Sequence, residues 1–128
     1  MLRHHTCETT VGRRSGVLLL EWKNFRALLP VGMSFEEMEA LENGKAVGRV
    51  SALLMAEGGY APLNPLEWVA NLQPQAVLLS VSLKDTTGLP SPVALQAVEG
   101  YTLLRTDRSG WIELSTDGEQ MWVEVENP

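Results

Sequence analysis

The chain has little of what catalysis and cross-linking ordinarily use: one cysteine and two histidines in 128 residues. A single cysteine excludes an intramolecular disulfide framework and agrees with a reducing compartment. No apolar run approaches the roughly 18 residues that span a bilayer. The start, Met1-Leu-Arg-His-His-Thr-Cys7, lacks the apolar stretch of a secretory signal, so a cytoplasmic protein without a membrane span is expected. Repeats and low-complexity segments are missing as well. What is present is ordinary for a globular protein: 45% hydrophobic and 20% charged residues, which excludes disordered, collagenous and coiled-coil classes. The length fits one domain with a real core.

Charge is unevenly placed. Residues 1–26 hold five basic side chains (Arg3, Arg13, Arg14, Lys23, Arg26) against Glu8 and Glu21, whereas residues 27–128 hold five basic against fourteen acidic. The overall formal charge is −6. A net acidic surface repels phosphate backbones, so nucleic acid is an unexpected partner unless the basic N-terminal stretch binds it alone.

Residues 1–15 show no apolar period and read as a loosely held lead-in to a single domain over 16–126. Gly16–Trp22 and Phe25–Leu29 read as a strand pair joined at Lys23-Asn24, with Asn24 tolerating the positive φ of a tight turn. Ser34 and Glu37 form a capping box, flanked by Met33 and Met38 in staple positions. Phe35, Met38, Leu41 and Ala40 make the stripe of this helix, and Gly44 stops it. Val47–Met55 reads as a strand apolar on both faces. Asn64 as cap and Pro65 at the first position start a second helix that ends near Leu72, with Leu63 placed to pack on Trp68. Ala76–Val81 is another central strand. Ser91-Pro92 opens a third helix through Val98, closed by Gly100. Three strands follow at Tyr101–Thr106, Trp111–Ser115 and Gln120–Glu126, separated by turns at Asp107–Gly110 and Asp117-Gly118. The order β-β-α-β-α-β-α-β-β-β predicts an α/β fold with a mixed sheet.

Candidate chemistry is sparse. His4, His5 and Cys7 are suitable ligands for a soft divalent metal, but their spacing matches no structural zinc pattern. Cys7 lacks an ordered base to make it a nucleophile. Asp85 and Asp107 could pair as carboxylates, yet both sit in turn signals where aspartate bonds its own backbone. Glu57-Gly58-Gly59 follows a strand without the lysine or helix start of a phosphate loop. The four tryptophans lie within regular elements, where packing is their ordinary duty.

Several segments carry a family resemblance. Leu18–Leu29, Ser51–Tyr60, Pro65–Val81, Ser91–Leu95 and above all Leu104–Gly118 follow one another in a familiar order. Between Ser15 and Gly118 the chain resembles the second half of the metallo-β-lactamase-fold hydrolase domain, in the version carried by ComEC-type DNA-internalisation (competence) proteins. Leu104-Arg-Thr-Asp-Arg-Ser-Gly-Trp-Ile-Glu-Leu-Ser-Thr-Asp-Gly118 is similar to that family's "LRTDxDGxIxLxTDG". The resemblance implies half of an α-β-β-α sandwich, its three helices on one face of the sheet.

It also marks what this chain has lost. The family's bridging aspartate falls on Gly32, its histidine pair on Glu57 and Gly58, and its later histidine near Leu89. A dinuclear zinc centre needs those imidazoles and carboxylates to converge, so no catalytic residue, cofactor or metal is expected here. The expectation is a non-catalytic module with a structural or protein-interaction role. The alternatives are one half of a split metal-dependent hydrolase completed by a metallo-β-lactamase-like partner half, and a nucleic-acid-binding accessory using Arg3, Arg13 and Arg14. Because three helices cover one face of a sheet whose strands are apolar on both, the bare face predicts a homodimer, with Trp22, Trp111 and Trp122 as interface candidates.

Overall fold

A computed structural model of the chain describes the backbone of residues 2–4 and all of residues 16–82 and 87–128. Among the described residues, eight strands and four short α-helices follow the expected order with two additions, a strand at Leu2–His4 and a helix at Thr106–Ser109. Strands β1 (Leu2–His4), β2 (Leu18–Trp22), β3 (Phe25–Leu29), β4 (Ala52–Leu54), β5 (Ala76–Leu79) and β6 (Thr102–Arg105) form one sheet in the order 1-2-3-4-5-6. Only β2 and β3 run antiparallel; the other neighbours are parallel. Strands β7 (Ile112–Thr116) and β8 (Met121–Val125) pair as a separate hairpin. The α/β class and mixed sheet are therefore as expected.

Register sorts the sheet into two faces. Leu19, Leu28, Leu53, Val77 and Leu103 align across β2 to β6. They join Met38 of α1 (Phe35–Ala40), Val69 and Leu72 of α2 (Leu66–Leu72) and Ala94 and Ala97 of α3 (Pro92–Ala97) in one apolar core. All three helices thus cover the same face. Trp68 is the largest fully buried side chain, and Leu63 shares its core.

The second face carries Leu18, Leu20, Leu29, Leu54, Leu78 and Leu104, with Ala27, Ala52 and Ala76 in a row across its middle. This face was expected to be bare, and it is not. The alanines are 5%, 1% and 2% exposed, and the leucines are half-buried. The reason is the β7–β8 hairpin. At its base, the Asn127 N–H bonds the Ser109 carbonyl beyond β6. At its tip, the Asn24 N–H donates to the Gly118 carbonyl at 2.8 Å, and Asn24 Nδ2 donates to Glu119 at 2.6 Å. Base and tip lie at opposite ends of the sheet, beyond the carboxyl end of β6 and before the amino end of β3, three strand spacings or roughly 14 Å apart sideways. A hairpin pinned at these two corners runs diagonally across the side the helices leave open. Its Ile112, Leu114, Met121 and Val125 are half-buried, while Glu113, Ser115, Trp122 and Glu124 stay exposed, as does Val123 opposite Leu114 at 39%.

Other local expectations need correction. The strand expected over Val47–Met55 shortens to Ala52–Leu54, because Lys45 to Gly48 turn back on the Leu41, Glu42 and Gly44 carbonyls. Positive φ in the β2–β3 turn falls on Lys23, not Asn24. The turn expected at Asp107–Gly110 is a one-turn helix, α4 (Thr106–Ser109). Phe35 points outward, leaving Met38 as the one buried residue of α1. Within the expected loose lead-in, Leu2–His4 adds an edge strand beside β2; His5, Cys7, Arg13, Arg14 and Asp85 lie outside the described residues. The capping box of Ser34 and Glu37 is present in both directions, at 3.1 and 3.2 Å.

Candidate functional site

Strands β3, β4, β5 and β6 run the same way, so their carboxyl ends share one rim. Open α/β sheets build sites at such a rim, and the positions picked out by resemblance fall there. Gly32 follows β3, Glu57 and Gly58 follow β4, and Leu89 lies beyond β5. A Cβ placed on Gly58 would lie 3.5 Å from Leu89 Cδ1 and 3.6 Å from the Ser80 carbonyl, so these two positions are neighbours in space. Glu57 is exposed and left-handed, at φ 48°.

Backbone and amide hydrogen bonds shape this rim. The cap of α2 is Pro65 and not the expected Asn64, which is buried, at 2% exposure. Its Oδ1 accepts from the Ala56 N–H at 3.0 Å, and its Nδ2 donates to the carbonyls of Ala56 at 3.0 Å and Tyr60 at 2.8 Å. The side chain thereby supplies the partner for the Ala56 N–H and adds a second donor to two carbonyls that already accept the Gly59 and Leu63 N–H groups. Gly59 follows with φ 90°, where an added Cβ would stand 2.6 Å from Pro90 Cβ. Its carbonyl accepts from the Ser91 N–H at 3.0 Å, fastening the start of α3 to the loop. On the other side, Thr106 Oγ1 accepts from the Val81 N–H at 2.8 Å and donates to the Val81 carbonyl at 2.9 Å.

The carboxylates are occupied locally. Asp107 receives a two-pronged bond from Arg105, Nε to Oδ1 at 3.0 Å and Nη2 to Oδ2 at 2.8 Å. That bond holds the Asp107 carboxyl below its usual range. Asp117 is lowered too, because its Oδ1 accepts the Gln120 and Glu119 N–H groups in the β7–β8 turn. Among the described residues, no three His, Cys, Asp or Glu side chains gather as a metal site. Gly32, Gly58 and Leu89 offer no donor atom, and Glu57 alone cannot hold zinc, so these positions do not fit the dinuclear centre of the resembled family.

Comparison with known protein families, curated proteins and solved structures finds no match. The remaining candidates stand apart from the rim. Trp22, Trp111 and Trp122 are 44%, 53% and 50% exposed, unlike the core residue Trp68. The Lys23 ammonium lies 5.5 Å from the Trp22 ring centre. Sequence reasoning missed the Asn64 clamp and the Thr106 clasp. The one signal for Asn64 was a polar residue set between Leu63 and Trp68, both core residues.

Proposed function

We propose that this chain is a non-catalytic, metallo-β-lactamase-like half-domain that serves as a structural or protein-interaction module and associates with itself. The observation that carries this reading is the rim. Where hydrolytic groups would converge, it has Gly32, Gly58 and Leu89 with Glu57 the one carboxylate beside them, and the Asn64 and Thr106 side chains are spent on fixing loops. No helix of the described residues is long and apolar enough to cross a membrane. The exposed aromatics Trp22, Trp111 and Trp122 support an interaction role, since large rings commonly anchor interfaces. The test is metal retention. Purified chain loaded with zinc or manganese and then desalted should keep well under one equivalent. Stoichiometric metal held through Glu57, with phosphodiesterase activity, would overturn the reading and favour the split hydrolase.

A further inference from the structure

The outer edge of β6 is open: the main sheet ends there, and no described strand pairs beyond it. Natural proteins blunt such edges with lysine, proline or a bulge. β6, the four residues Thr102-Leu-Leu-Arg105, has none of these three, and its one charge, Arg105, is already paired with Asp107. Beside it runs a groove of about 470 Å³ between α3 and the edge, with Leu95, Val98, Tyr101 and Leu103 as its apolar lining and Glu99 and Arg105 as its charges. This edge differs from the second sheet face, which the hairpin already covers.

We infer that the β6 edge is the surface through which two copies associate, pairing β6 antiparallel with β6 of the partner copy about a two-fold axis. The inference rests on the self-association proposed above and names its surface. A two-fold axis perpendicular to the sheet keeps the helix-covered faces on one side, so residues of like parity must meet. Centring the pair on Leu103 puts Leu103 against its own copy and Thr102 opposite Leu104. It also puts Tyr101 opposite Arg105 at both ends. The two leucines then close the two grooves against each other, and each Tyr101 ring meets an Arg105 guanidinium whose edge Asp107 of its own copy already holds. No charge faces a like charge. The axis reverses the groove end for end, turning the Arg105 end of one copy toward the Glu99 end of the other. Centring on Leu104 would instead set Arg105 against Leu103, an apolar neighbour for a charge. Edge pairing of this kind gains main-chain hydrogen bonds together with apolar burial.

The test uses the full chain in sedimentation velocity at micromolar concentration. Wild type should run at the mass of two chains. Thr102→Lys, a change at an exposed position, should weaken association roughly tenfold or more by placing a gatekeeping charge on the edge. Its circular dichroism should stay that of wild type. Trp111→Ser with Trp122→Ser should leave the mass unchanged. Leu103→Cys in a Cys7→Ser background should oxidise to a cross-linked dimer, because directly opposed strand residues lie within disulfide reach. A dimer insensitive to Thr102→Lys, or one lost with the tryptophans, overturns the edge and leaves self-association standing. Dissociation by Thr102→Lys without cross-linking at position 103 overturns the Leu103 register. A single-chain mass for wild type overturns self-association itself.

Discussion

At Gly59 and Asn64 the rim depends on atoms that few other residues supply. A methyl group at Gly59 meets Pro90 at 2.6 Å while forcing a left-handed backbone, so both costs fall on one substitution. Gly59→Ala should destabilise by roughly 2–4 kcal/mol in urea unfolding. Gly58→Ala, whose nearest neighbours stand 3.5 and 3.6 Å away, should cost only about 1 kcal/mol for its backbone. Equal losses would show that the contact with Pro90 is dispensable. Asn64→Ala strands the buried Ala56 N–H, while the Ala56 and Tyr60 carbonyls keep the Gly59 and Leu63 N–H groups, and should cost about 1–3 kcal/mol. Asp107 has a pH signature. Its carboxyl titrates lower when folded than the usual 3.8, so its contribution is complete above that value and is lost as pH falls through the lowered one. In Asp107→Asn, urea midpoints compared at about pH 6 and about pH 3 should differ less than in wild type. An unchanged acid slope would mean that the Arg105 pair contributes nothing.

The elements divide by how local their causes are. The α1 start was legible because Ser34 and Glu37 satisfy each other's backbone within four residues; Ser34→Ala should lower stability by about 1 kcal/mol, read from the same urea titrations. The β2–β3 pair and the start of α3 at Ser91-Pro92 were legible for the same reason. The misreadings came where distant partners decide. Val47–Val50 is apolar enough for a strand, but the Val50 N–H bonds the Leu72 carbonyl of α2. Asn64 beside Pro65 looks like a cap until the far side of its loop claims all its bonds. That Gly32, Gly58 and Leu89 carry no ligand atoms could be read from residue type alone, whereas the contact between Gly58 and Leu89 needed the fold.

For the whole molecule, the largest departure from sequence reasoning is the hairpin over the second face. Apolar strands were readable from composition. The element that covers them was not, because two short strands joined at Asp117-Gly118 say that a hairpin forms without saying against what it packs. That closure joins Asn24 to Glu119, 95 positions apart, and a loop of such length costs about 4 kcal/mol of chain entropy to close. The β2–β3 turn forms from neighbours and bears no such cost. The hairpin tip should therefore dock after the sheet has formed and release before it melts. In native-state hydrogen exchange the Asn24 amide should exchange through a partial opening, well ahead of the amides of β4 and β5. Identical exchange at Asn24 and Val77 would make the whole chain one cooperative unit. The hairpin then acts as a latch over a sticky surface. Each release uncovers the alanine row and its flanking leucines while the rest stays folded, so the tip bonds between Asn24, Gly118 and Glu119 set solubility as well as shape. Weakening them should raise aggregation on storage long before it lowers the melting temperature.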